Sequence, residues 1–212
     1  MLKASQLGTT LVEMMISMAI GLASLTTMAS LVGHGIGLNS QLLAKSRLDE
    51  EVNGIVELLV NDIKRAGFDA STLNIVSDPN TFQSAFARSV TIADYPGEAA
   101  NSCLLFAYDR NQNGVLDTIN SNENFGYRLK DRAIEIRLDG LGCNANGWQD
   151  LSDPQVVKVT RLEFVLHTQQ RANVVANRVE LTVQAELRNN PAISKLIQTS
   201  FVIKNYAPSL AL

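Results

Sequence analysis

From Met14 to Gly33 the chain reads MMISMAIGLASLTTMASLVG, an apolar run with no charged residue. A helix of about 20 such residues crosses the hydrocarbon core of a bilayer. No other single segment satisfies its own backbone there. One carboxylate, Glu13, stands at the head of the run. An ionisable group inside a membrane segment costs about 3 kcal/mol on insertion scales, so its presence points to a function. A cleaved secretory signal is the main competitor, and Ala19, Ala23 and Ala29 imitate its small-residue site. Such signals have a shorter apolar region, however, and this run continues directly into helix-like sequence.

Beyond the run, Leu48, Val52, Ile55, Val56, Leu59 and Ile63 recur at three-four spacing. That spacing marks one face of an amphipathic helix. Asp49, Glu50, Glu51, Asn53, Glu57, Asn61 and Lys64 fill the other faces. One helix is therefore expected from about Thr10 to Ala66, greasy first and amphipathic later. Gly67 after Arg65-Ala66 supplies its stop. Gly33, Gly35 and Gly37 interrupt the helix, each costing about 1 kcal/mol relative to alanine. They predict a bend or a locally melting stretch. His34 beside them reads as an interfacial side chain.

Residues 68 to 101, broken by Pro79, Pro96 and Gly97, read as an irregular loop. Strand signals follow. Leu104 to Tyr108 is a short apolar run, and Phe125 to Leu129 and Ala133 to Leu138 follow it. Leu162, Phe164 and Leu166 alternate with Glu163, Val165 and His167. Val179 to Arg188 keeps period two throughout, and Ser194 to Lys204 makes a last strand after the turn at Asn189-Asn190-Pro191. Period two over such lengths means strands with one wet face. Sequential strands with short connections imply an antiparallel sheet. The stripe from Leu48 to Ile63 is the available cover for its apolar face. The fold class is α+β: a long N-terminal helix packed on an antiparallel β-sheet.

The net charge of −3 and dispersed charges argue against nucleic-acid binding driven by counterion release. No nucleophile motif, P-loop or dinucleotide fingerprint is present, so an enzyme is not expected. His167 lies on the polar side of its strand. One loop carries a chemical signal: Asp109-Arg110-Asn111-Gln112-Asn113-Gly114-Val115-Leu116-Asp117. It resembles the first nine positions of an EF-hand-type calcium loop. Asp109, Asn111, Asn113 and Asp117 supply side-chain oxygens, Val115 a backbone carbonyl, and Gly114 the sharp turn. The twelfth position is Asn120 where a bidentate Glu is usual, with Glu123 three residues later. The alternative is a hairpin turned at Asn113-Gly114 in a type I′ conformation.

Gly8, the hydroxyl of Thr10, Leu11-Val12, Glu13 and the apolar helix together resemble the signal of type IV prepilins. In that family a prepilin peptidase cuts after the glycine and methylates the new N-terminus. The resemblance makes Gly8-Thr9 the cleavage site, Thr9 the methylated residue and Glu13 the fifth residue of the mature chain, an assembly group. Thr9 departs from the phenylalanine usual at that position. Asn61 to Phe68, Cys103 to Asp109 and Val157 to Phe164 are similar to PilW-type minor pilins. The implied organisation is a leader (1–8), a transmembrane and filament-core half-helix (9–38), an amphipathic half-helix (39–66) and an extracytoplasmic β-rich domain (67–212), the pilin-like layout. The resemblance implies a minor pilin that primes assembly at the tip, in fibres linked to adhesion and twitching. Implied partners are other minor pilins, the major pilin, the prepilin peptidase, the inner-membrane assembly platform and a tip adhesin. A minor pseudopilin of type II secretion, of the J kind, is the runner-up. The body faces an oxidising compartment, so a Cys103–Cys143 disulfide is expected. The protein would sit in the inner membrane before assembly and on the pilus afterwards.

Cleavage between Gly8 and Thr9 is expected to leave the membrane helix on the mature protein. Intact mass of the native protein checks this. Retention of Met1 to Gly8, or loss of the run to about Ala29, would overturn it.

Overall fold

The computed structural model describes residues 10–71, 77, 83–87, 90–171 and 174–205, with side chains described up to 169 and again from 177. Gly8 and Thr9, and with them the cleavage and methylation sites, lie outside the described residues. Helix α1 runs from Leu11 to Ile63. The chain divides into two compact units, Met1–Ser46 and Arg47–Leu212.

In the first unit, α1 is long and apolar enough to cross a membrane, and its apolar stretch is wholly unburied within the chain. Four of its hydroxyls are satisfied locally. Ser17 donates to the Glu13 carbonyl, Ser24 to Ile20, Thr26 to Ala23 and Thr27 to Ser24, at 2.8–2.9 Å. A hydroxyl bonded to its own helix brings no unpaired polar group into hydrocarbon. The expected melting at Gly33–Gly37 does not occur, because the helix is continuous through all three glycines. Glycine weakens a helix through chain entropy yet keeps its backbone hydrogen bonds.

In the second unit, α1 presents Leu48, Val52, Val56, Leu59 and Ile63 to the core. It ends three residues before the expected Ala66. The amides of Arg65 and Ala66 donate to the carbonyls three residues back, at 3.0 Å, and tighten the last turn. Gly67 then turns the chain with φ +79°. The Gly67 amide donates to the Ala107 carbonyl at 2.9 Å, and the Asp109 amide to Phe68 at 2.8 Å. The helix exit is thereby fastened to the strand that ends at Ala107.

One sheet was expected, and there are two. The first is a five-stranded antiparallel meander in sequence order: β1 (Thr91–Ala93), β2 (Cys103–Ala107), β3 (Asn124–Lys130), β4 (Ala133–Ile136) and β5 (Gln149–Asp150). The second is β6 (Val157–Arg171), β7 (Val174–Leu187) and β8 (Asn190–Ile203). β1 and β5 are too short to show periodicity, and β1 falls in the stretch read as loop. Period two reports which face a residue is on, not which strand it pairs with. Pro191 lies inside β8 rather than in the turn, which an edge strand tolerates.

The helix stripe packs with Leu104, Phe106, Tyr127, Leu129 and Ile134 of the first sheet and Leu162, Phe164, Leu181, Val183 and Phe201 of the second, in one core. The opposite face of β2 carries Cys103 and Leu105 into a second cluster with Cys143 and Trp148. Burial on both faces explains why β2 reads as continuously apolar. The Cys103–Cys143 disulfide is formed, across 40 residues of sequence.

Asp62, in the last helical turn, accepts from the hydroxyls of Tyr108 and Tyr127, both at 2.8 Å. Burial first, then the Asp62 charge, pushes both phenols above the ordinary tyrosine range. Tyr108→Phe and Tyr127→Phe are each expected to cost about 1–2 kcal/mol, and Asp62→Ala about 2–4 kcal/mol because it strands both hydroxyls. Urea unfolding measures the three. An unfolded tyrosine ionises near pH 10, whereas the folded ones hold their protons to higher pH. Stability contributed by the pair is therefore complete below about pH 10 and falls as pH rises above it. The double Tyr→Phe variant is expected to flatten that loss.

Candidate functional site

Glu13 forms a reciprocal capping box with Thr10. The Thr10 amide donates to Glu13 Oε2 at 3.2 Å, the Thr10 hydroxyl reaches the same oxygen at 3.5 Å, and the Glu13 amide donates to Thr10 Oγ1 at 3.3 Å. Thr-x-x-Glu is the sequence signature of this arrangement. Two otherwise orphaned amides of the helix start find acceptors, and the carboxylate lies at the positive end of the helix dipole. The role of Thr10 was missed in the sequence, although its spacing to Glu13 gives it away. A glutamine at 13 could make the same bonds without the charge. His34, farther along the helix, is exposed.

The loop from Asp109 to Glu123 joins β2 to β3. Asp109 is buried and accepts three amides: Ala70 at 3.1 Å, Asn113 at 3.1 Å and Gly114 at 2.8 Å. Glu123 is also buried and accepts from Arg110 at 2.7 Å, Asn111 at 3.2 Å and Asp117 at 3.2 Å. Asp117 Oδ2 receives the side-chain amides of Asn111 and Asn113 at 2.7 and 2.9 Å. Val115 donates its amide to Asn113 Oδ1 at 2.7 Å. The five calcium-loop residues, Asp109, Asn111, Asn113, Val115 and Asp117, are thus brought together, and both oxygens of Asp109, the Oδ1 atoms of Asn111 and Asn113 and Oδ2 of Asp117 accept from protein donors. Among the described residues, no group of three or more His, Cys, Asp or Glu is gathered to hold a metal. The alternative hairpin reading needs correction. Positive φ falls on Gln112 (64°) and Gly114 (74°), so Asn113-Gly114 is not a type I′ turn. The connection is a wide loop supported by two carboxylates.

A third cluster was invisible in the sequence. Arg128 on β3 is fully buried. Its Nε lies 2.5 Å from Glu135 Oε2, and its Nη1 donates to the Cys143 carbonyl and, at 2.8 Å, to Ala145. The guanidinium carbon lies over the rings of Tyr95 and Trp148, 4.8 and 4.5 Å from their centroids. A buried cation needs such pairing, since an isolated one is too costly to bury. Arg137 donates to the carbonyls of Leu141 and Gly140 at 2.5 and 2.6 Å. Two arginines and the disulfide therefore hold residues 140–145 over the outer face of the first sheet. His167, half exposed, lies 3.3 Å from Glu180 across β6 and β7.

The loop carboxylates hold backbone amides directly, so their removal strands those donors. Asp109→Ala and Glu123→Ala are each expected to cost about 2–4 kcal/mol, in chelator as well as in calcium. Thermal melting with each addition checks this. A wild-type midpoint that rises with millimolar calcium, and fails to rise in Asp109→Ala, would make the loop a cation site.

The chain has curated relatives. An uncharacterised protein of Haemophilus influenzae is 24% identical over 240 residues, covering 96% of this chain and 98% of its own length. Prepilin peptidase-dependent protein B of Escherichia coli is 21% identical over 106 residues, covering 49% of this chain and 54% of its own. No solved structure matches. Residues 41–203 match the protein family described as prepilin peptidase-dependent protein B. That span takes in the amphipathic part of α1, both sheets, the disulfide and the carboxylate-held loop. The chain belongs to the prepilin peptidase-dependent protein B family, a pilin-related family.

Proposed function

We propose that this chain is a minor pilin of a type IV pilus, of the PilW type, that helps to prime fibre assembly and resides in the tip complex. The carrying observation is α1. Its apolar stretch is unburied within the chain, a carboxylate heads it, and the same helix ends in the stripe that holds a β-rich body. The name of the Escherichia coli relative, prepilin peptidase-dependent protein B, supports processing by such a peptidase. Before assembly the chain would be a single-pass protein of the inner membrane with its body in the periplasm. It would then pass into the fibre beside other minor pilins and the major pilin, through the assembly platform. Its role is structural rather than catalytic.

In this reading Glu13 docks a subunit through its charge. The α-amino group of Thr9 on a neighbouring subunit is the cation it meets, because opposite charges within about 4–6 Å favour the ionised carboxylate. Glu13→Ala removes charge and capping box together, whereas Glu13→Gln keeps the box alone. Both variants are expected to be cleaved and folded normally, and both to fail in fibre incorporation. Normal incorporation of Glu13→Gln would assign the residue to helix capping, and normal piliation by both would refute docking. Deletion of the gene is expected to remove surface pili with secretion intact. Lost secretion with intact pili would instead identify a type II secretion pseudopilin.

A further inference from the structure

β4 and β5 pair directly, and antiparallel neighbours can be joined by a two-residue turn. Their connection instead runs from Arg137 to Trp148, without helix or strand of its own. Five of the six backbone carbonyls from Gly140 to Ala145 accept from three side chains. Arg137 takes Gly140 and Leu141, at 2.6 and 2.5 Å. Trp148 Nε1 takes Gly142 at 3.2 Å. Arg128 takes Cys143 and, at 2.8 Å, Ala145. Hydrogen bonds from an ionised donor are the strong ones, and four of the five are of that kind.

Arg128 also stands directly across from Cys103 in the register of β2 with β3. One guanidinium therefore has Cys103 as its strand neighbour and the Cys143 carbonyl as its acceptor. Glu135 occupies its Nε, and the remaining N–H groups of this buried cation still need acceptors. The segment supplies them. Leu141 and Trp148 add apolar anchors, packed with Ala93 and Leu105. None of these hydrogen bonds requires the sulfur–sulfur bond.

We propose that Arg128 and Arg137 close this segment before its disulfide forms. They are positioning residues that bring Cys143 to Cys103, and oxidation locks a segment already in place. The oxidant is a disulfide such as oxidised glutathione. One protein thiolate attacks it and expels a first glutathione thiolate, leaving a mixed disulfide. The second protein thiolate attacks the protein sulfur of that bond and expels the other. Two electrons pass to glutathione, and the two thiol protons go to solvent. The body keeps one surface on both sides of this step.

The test uses the full-length protein in detergent micelles, equilibrated with mixtures of reduced and oxidised glutathione. Alkylation and intact mass give the oxidised fraction, and the emission maximum of Trp148, the single tryptophan, reports the segment. Reduced wild type is expected to keep the maximum of the oxidised protein. Arg137→Gln leaves the Arg128–Glu135 pair intact. It is expected to lower the equilibrium constant for closing the disulfide about tenfold, and to shift the reduced-state maximum to the red. Tyr108→Phe weakens the body away from the segment and is expected to leave that constant unchanged. A red-shifted maximum in reduced wild type would overturn the proposal, by making the disulfide the agent of closure. So would a constant that Arg137→Gln leaves unchanged, or that Tyr108→Phe lowers as far.

Discussion

One helical stripe is shared by two separate sheets. Leu48, Val52, Val56, Leu59 and Ile63 belong to the same core as β2 to β4 and β6 to β8. Neither sheet alone encloses an apolar face, and the stripe gives both a common partner. Each side chain so buried contributes about 1.5–3 kcal/mol. At the end of the stripe Asp62 adds direction to that non-directional packing, because two tyrosine hydroxyls fix the last helical turn to β3 and to the end of β2. Hydrophobic burial brings the layers together, and the carboxylate decides how they are aligned.

Carboxylates recur as organisers elsewhere in the body. Asp109 and Glu123 each collect three backbone amides and shape a loop that has no ladder of its own. Glu135 neutralises Arg128, and Arg128 in turn holds the loop closed by the disulfide. In every case a buried charge is matched by hydrogen-bond partners, donors for the carboxylates and acceptors for the guanidinium, as the cost of burying it requires. Glu13 differs. It is exposed within the chain, and the partners it shows lie within one turn of its own helix.

Much was readable from the residues. The three-four spacing of Leu48 to Ile63 gave the buried face, because helix geometry fixes which side chains share a side. Strict alternation from Val179 to Arg188 gave the later part of β7, and apolar continuity gave β2. The cysteines pointed to their bond once an outward-facing body was inferred. Thr10 was legible too, since a capping box is local in sequence. The glycines at 33, 35 and 37 misled, because helix propensity is a weak prior that flanking sequence overrides. The Asn113-Gly114 hairpin misled because a strong dipeptide signal lost to carboxylates placed four and nine residues away.

The sequence by itself determined the elements and their faces: an apolar helix with a carboxylate at its head, an amphipathic continuation and a set of alternating strands. Those follow from periods of 3.6 and 2, which are properties of a local backbone. Only the tertiary structure decided the division into two sheets, the pairing of Arg128 with Glu135, and the reach of Asp62 to tyrosines 46 and 65 residues away. It alone decided that the β6 edge of the second sheet is met by the first sheet. These depend on which strands lie side by side, and alternation along one strand carries no information about its neighbour.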